Sequence, residues 1–212
     1  MAQSSKIKVA VIVVVSAVLL VGGLRYFLWD KFTKTDVAEF RHKGNPTAPI
    51  KVVEYVDLQC PACAYGTLQI QKYLEQHPNQ IYLEIRFFPL GGHMHSMAAT
   101  KFAHCAGVQG KFWPFLNLVF KQQRKWSDLM DAQPAFVEIM KSIELDSDKA
   151  IACTADDALR VKILQEKDEG TSRGIKSTPT YFINGKMFVG VKDMMTEIDR
   201  ILGIKTVLDV VN

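Results

Sequence analysis

Val52 to Cys63 reads V-V-E-Y-V-D-L-Q-C-P-A-C, an apolar, β-branched run that stops at a Cys-x-x-Cys. Val52, Val53, Tyr55 and Val56 have the composition of a buried strand. Pro61 cannot donate to a sheet ladder but suits the first position of a helix. The two cysteines therefore fall on a strand-to-helix junction, with Cys60 at or near the N-cap and Cys63 about one turn inside, within disulfide reach. At such a junction the unpaired backbone N–H groups and the positive end of the helix dipole favour a thiolate. Cys60 is thus the candidate nucleophile and Cys63 its resolving or buried partner.

Downstream, Leu68, Ile70, Tyr73 and Leu74 recur at helical intervals, and the pattern stops at Pro78-Asn79. Ile81, Leu83, Ile85 and Phe87 then alternate with Tyr82, Glu84 and Arg86, the period of a strand. Strand, helix, strand in about 40 residues is a βαβ unit with parallel strands and a right-handed crossover. From His93 to about Gly174 no period-two segment occurs, and the pattern predicts five helices: one around Ala98 to Ala106, then Phe112 to Phe120, Ala135 to Met140, Ser147 to Ala152 capped by Ser147, and Ala155 to Glu169 closed by Gly170. Strand composition returns at Thr178 to Ile183. Asn184-Gly185 is a strong two-residue hairpin signal, and Met187 to Val189 pairs back. Asp193 can cap a last helix with Met194, Met195, Ile198, Ile201 and Leu202 on one face, ended by Gly203.

Upstream, Lys6 and Lys8 precede an uncharged run from Val9 to Leu24, followed by Arg25 and the aromatic Tyr26, Phe27, Leu28 and Trp29. This reads as an N-terminal hydrophobic helix in residues 1–32, either a signal anchor or a cleaved signal peptide; Trp29 favours the anchor, Val21-Gly22-Gly23 offers a cut. Residues 33–49, with Gly44, Asn45, Pro46 and Pro49, read as a linker. The 212 residues suffice for one well-buried domain with an insertion. The net charge of +4 comes from 26 basic and 22 acidic residues without a clustered basic stripe, which argues against a nucleic-acid binder.

Three segments, E-Y-V-D-L-Q-C-P-A-C, Q-G-K-F-W at Gln109 to Trp113 and S-T-P-T-Y-F-I-N-G-K at Ser177 to Lys186, occur in an order and spacing that resembles the DsbA-like thiol-disulfide oxidoreductases. The resemblance covers about residues 50–203. It implies an α/β thioredoxin fold, with βαβ and ββα halves in residues 50–92 and 175–212, interrupted by an all-helical insertion in residues 93–174. It implies that Pro179 is the family's cis-proline facing the Cys-x-x-Cys, that Thr178 lines the substrate groove, and that Glu54 is a buried acid relaying the proton of the buried cysteine. The active-site dipeptide is Pro61-Ala62, where the most strongly oxidising relatives carry Pro-His. A membrane redox partner for recycling is implied by the resemblance alone.

The expected activity is transfer of a Cys60–Cys63 disulfide to thiols of extracytoplasmic proteins, with no cofactor and no metal, on the periplasmic or another extracytoplasmic side. Tethering would be through residues 9–29, with secretion after signal cleavage as the other reading. An isomerase or reductase on the same fold is one alternative. A copper- or zinc-binding module using Cys60, Cys63 and a nearby His93 or His95 is another, although no second Cys-x-x-Cys completes a zinc site. Asp57 reads as favourable charge at the helix N-terminus; Phe112, Trp113, Phe115 and Trp126 read as core of the insertion. Cys105 and Cys153 lie in different predicted helices of one subdomain, and in an oxidising compartment they are expected to form a structural disulfide.

Overall fold

The computed structural model describes residues 37–204. The expected N-terminal hydrophobic helix in residues 1–32 lies outside the described residues, as does the tail from residue 205 on. No helix among the described residues is long and apolar enough to cross a membrane.

Five strands form one sheet: β1 (His42–Gly44), β2 (Ile50–Val56), β3 (Ile81–Phe87), β4 (Thr180–Ile183) and β5 (Lys186–Val189), in the order β1-β3-β2-β4-β5. Only β2 and β3 are parallel, joined through helix α1 (Pro61–Gln76); the other pairs are antiparallel. β2, largely buried on both faces, reads as a near-continuous apolar run, whereas β3 keeps an apolar–polar alternation, with Tyr82 and Glu84 on its less buried face. Because successive side chains point to opposite faces, Val52, Glu54 and Val56 share one side of β2 and Val53 and Tyr55 the other. The first side is covered by α1 and α8 (Val191–Leu202), which join a large core containing Val52, Val56, Ile70, Tyr181, Met194 and Ile198. On the second side Tyr55, Phe88, Ile175 and Phe182 form a smaller cluster.

Between β3 and β4 the chain is helical: α2 (Ser96–Val108), α3 (Phe112–Lys121), α4 (Gln123–Trp126), α5 (Gln133–Ser142), α6 (Ser147–Thr154) and α7 (Asp157–Ser172). Phe112, Phe115 and Trp126 are buried, and Trp126 meets Phe136 edge-on at 5.0 Å while its indole N–H donates to the Val119 carbonyl. Cys105 of α2 and Cys153 of α6 are joined by a disulfide, Cα atoms 5.9 Å apart. Helix α7 is fastened to the sheet by charge: Glu166 accepts from Arg41 at 2.8 Å and from the Phe87 backbone N–H at 2.8 Å, and Arg86 donates to Glu169 at 2.7 Å. A buried acid held by a guanidinium and a backbone donor has the partners that burial demands.

Several local expectations change. The segment expected to be a linker is folded from Val37 on: Glu39–Arg41 make a 3-10 turn and β1 pairs antiparallel with β3, a three-residue strand too short for an alternating pattern to reveal. Helix α6 is capped by Asp146, whose carboxylate accepts from the Lys149 N–H, and not by Ser147. Gly170 does not close α7, which runs on to Ser172; it is a place of close approach, where a Cβ would sit 2.9 Å from both Phe88 and Tyr55. Helix α8 has Gly190 at its N-cap, leaving Asp193 in its first turn instead of at its cap. Gly203 ends it in the left-handed region at φ 69°, and Asn184 and Gly185 both take positive φ in the hairpin.

Candidate active site

Cys60 is the N-cap of α1 in extended conformation, with Pro61 first in the helix. The junction is held from below. The Asp57 carboxylate, fully buried, accepts from the Gln59 N–H at 2.7 Å, the Leu90 N–H at 2.7 Å and His93 Nδ1 at 2.9 Å. Asp57 thus does more than add charge near the helix: it ties three segments together under the cysteines, and its own N–H donates to Cys63 Sγ at 3.4 Å. From the insertion, the Gln123 amide donates to the carbonyls of Leu58 and Cys60 at 2.8 and 3.2 Å. Gln59 accepts from the His95 N–H and donates to the Ser127 carbonyl.

The two free cysteines differ sharply. Cys60 is 8% exposed and Cys63 is 0% exposed. The Cys63 thiol donating to it is the largest influence on Cys60, whose pKa falls to about 5 against a smaller opposing effect of burial; the backbone N–H groups of Cys63 and Ala62 and the side chain of Thr178 act in the same direction. Burial pushes Cys63 well up, with Cys60 adding to the rise. The largest influences that favour the thiolate are neutral dipoles, which fits the absence of a charged residue between the cysteines.

Thr178 and Pro179 face the pair from the start of β4. Their peptide bond is cis, Pro179 is buried, and the Cys60 thiol donates to the Thr178 carbonyl at 3.4 Å. The Thr178 hydroxyl is buried and makes no hydrogen bond of ordinary geometry, yet it lies close enough to both sulfurs to favour their thiolates. Pro61 and Ala62 are exposed at the mouth.

Glu54 lies under α1, fully buried. Desolvation raises its pKa to about 8, opposed by the Thr67 hydroxyl, which donates to Oε1 at 2.9 Å, and by the Tyr181 hydroxyl. Glu54 and Tyr181 are direct partners across β2 and β4. Tyr181 was not singled out by the sequence, because only the strand register places it opposite Glu54. Thr67, Gln59 and Gln123 were missed for the same reason: their roles exist only once α1, the junction and the insertion are docked.

His93 and His95 do not converge on the cysteines as ligands: His93 is turned to Asp57, and His95 Nε2 lies 2.7 Å from the Leu129 carbonyl. Among the described residues no group of three or more His, Cys, Asp or Glu side chains is arranged to hold a metal ion. Cys105 and Cys153 are bonded to each other, leaving Cys60 and Cys63 as the free pair.

A free dithiol at a helix N-terminus, opposed by a cis-proline on a thioredoxin-like sheet with a helical insertion, is an arrangement suited to thiol-disulfide exchange. The chain belongs to the thioredoxin family, whose model matches residues 37–201. Among solved structures it is similar to Wolbachia pipientis alpha-DsbA1, 24% identical with a TM-score of 0.68, covering 77% of this chain and 89% of that one. It is also similar to Pseudomonas aeruginosa DsbA2, 25% identical with a TM-score of 0.64, covering 79% of this chain and 97% of that one. A curated relative, the Na(+)/H(+) antiporter NhaA 1 of Salinispora arenicola, is 30% identical over 170 residues, 79% of this chain. The match takes in 25% of that protein, and this chain spans about a quarter of the length of the curated relatives it matches first.

Proposed function

We propose that the chain oxidises thiols of extracytoplasmic proteins through Cys60 and Cys63. A substrate thiolate attacks Cys60 Sγ of the pair's disulfide; the S–S bond breaks, a mixed disulfide forms and Cys63 leaves as a thiolate that takes up a proton. A second substrate thiolate then attacks the substrate sulfur of the mixed disulfide and releases Cys60 as a thiolate. The substrate loses two electrons and the pair gains them, and a membrane-held disulfide donor restores the disulfide. Glu54, the buried acid on the α1 face, supplies and removes the Cys63 proton, while Thr178 and Pro179 hold the substrate's backbone beside Cys60.

The observation that carries the direction of transfer is the contrast between the two sulfurs. A Cys60 thiolate stabilised down to about pH 5 favours the reduced pair, so the disulfide is a ready electron acceptor and Cys60 a good leaving group. The Cys105–Cys153 bond fits an oxidising compartment, and the apolar run in residues 9–24 fits delivery there or tethering to its membrane. Ion transport is not carried over from the antiporters, since the shared portion is a quarter of their length.

A Cys63→Ala variant tests the reading. It is expected to accumulate mixed disulfides between Cys60 and proteins of the extracytoplasmic side, separable by mass under non-reducing conditions. A variant that traps no protein there, while its Cys60 thiol remains reactive to a small alkylating agent, would contradict it.

A further inference from the structure

Two buried polar atoms at the centre of the site make no hydrogen bond of ordinary geometry, and they belong to residues directly opposite each other: Glu54 Oε2 on β2 and the Tyr181 hydroxyl on β4, which lies close enough to the carboxylate to oppose the rise in its pKa. Leaving either unpaired in a buried setting costs free energy, so their retention side by side calls for an explanation. The hydroxyl is seated against α1 at Gly66, where a Cβ would overlap it. Gly66 is three residues beyond Cys63 and one before Thr67, the donor to the other Glu54 oxygen. Tyr181 therefore stands against the helix turn that runs from Cys63 to Thr67, the residue bound to Glu54. The titratable groups that act most strongly on it are Glu54 from β2 and Cys63 and Cys60 from α1 or its cap, and from α8 the apolar Val191 packs against the same Gly66.

We infer that the Tyr181 hydroxyl is the link through which Cys63 and Glu54 exchange a proton. The inference rests on the reading of Glu54 as the acid–base group given above. When Cys63 must attack, its S–H proton passes to the Tyr181 oxygen as the tyrosine's own O–H proton passes to Glu54 Oε2, leaving a thiolate, a neutral tyrosine and a neutral carboxylic acid. The reverse shift protonates Cys63 when it is the leaving group. Tyr181 stays protonated throughout, because burial first and the Glu54 charge second push its pKa far up. Hydrogen bonds of this kind are often long in a resting site and tighten as the proton moves. The arrangement also explains Gly66: a side chain there would displace the hydroxyl.

The test uses the reduced full chain mixed with an aromatic nitrothiobenzoate disulfide in a stopped-flow cell. Colour is released first as Cys60 attacks the probe and again as Cys63 attacks the mixed disulfide. Tyr181→Phe keeps the ring and removes only the unpaired hydroxyl. It is expected to slow the second phase by at least about tenfold near neutral pH, to flatten or displace that phase's pH profile, and to move the first phase far less. Gly66→Ala, which keeps the hydroxyl but displaces it, is expected to slow the same phase. In a Glu54→Gln background Tyr181→Phe is expected to have no further effect. If Glu54→Gln slows the second phase and Tyr181→Phe does not, the link through Tyr181 is overturned while the reading of Glu54 stands. Should neither variant change it, both are overturned. Equal slowing of both phases by Tyr181→Phe would also sink the inference, since that is the signature of disturbed packing.

Discussion

At Cys60 the thiolate is favoured by donors that carry no charge: the Cys63 thiol first, then the N–H groups of the helix start. Thiolate absorbance followed against pH is therefore expected to show a midpoint near 5, and a midpoint at or above about 8.5 would remove Cys60 as an activated nucleophile. Its consequence for stability follows from the sign of the shift. A thiol whose folded pKa is depressed stabilises the folded state above its unfolded pKa and loses that contribution as pH falls through the folded value. The reduced protein should gain stability relative to the disulfide form as pH rises from about 5 towards about 9. Glu54 has the opposite sign. Its folded pKa is raised from 4.5 to about 8, so wild-type stability declines across that interval while the unfolded carboxyl ionises and the folded one does not. Glu54→Gln removes the ionisation, and its unfolding free energy, followed by denaturant unfolding at each pH, is expected to gain on the wild type between pH 5 and 8, by up to a few kcal/mol. A constant difference across that range would show that Glu54 is not buried as a neutral acid.

Elements were legible where one signal dominated. The apolar run ending at Cys60-Pro61 gave the β2–α1 junction, period two gave β3, and Asn184-Gly185 gave the hairpin, because each rests on chemistry within a few residues. What stayed hidden depended on partners distant in sequence. β1 is three residues long and is defined by its pairing with β3. The carboxylate of Asp57 was readable as charge, but its three donors come from the junction, the end of β3 and the entrance to the insertion. Gly170 looked like a stop signal, since helix ends favour glycine; in the fold it lets α7 approach Tyr55 and Phe88. Gly170→Ala separates these roles. In an open helix interior the change would stabilise by roughly 1 kcal/mol, whereas here the added methyl forces aromatic rings to move and is expected to destabilise by about 1–3 kcal/mol in denaturant unfolding. Stabilisation would mean that α7 packs more loosely than the structure shows.

Across the described residues, the fastenings that join the helical insertion to the sheet and its junction include the Arg41–Glu166 pair at 2.8 Å, the Arg86–Glu169 pair at 2.7 Å, the Gln123 amide on the junction carbonyls, and the Gln59 contacts to His95 and Ser127. The Cys105–Cys153 bond acts within the insertion. It closes a loop of 48 residues, which restricts the unfolded chain by about 4 kcal/mol in the entropic description. Replacing both cysteines with alanine is expected to lower unfolding free energy by roughly 2–4 kcal/mol while leaving the Cys60 titration where it was. A shifted Cys60 midpoint would show that the insertion tunes the site. The central claim, that the fold presents Cys60–Cys63 as an acceptor of electrons, is tested most directly by the reduction potential of that pair, measured by equilibration against glutathione with Cys105–Cys153 intact. The account predicts a value towards the oxidising end, near about −120 mV; a value near about −270 mV, that of a reductase, would contradict it.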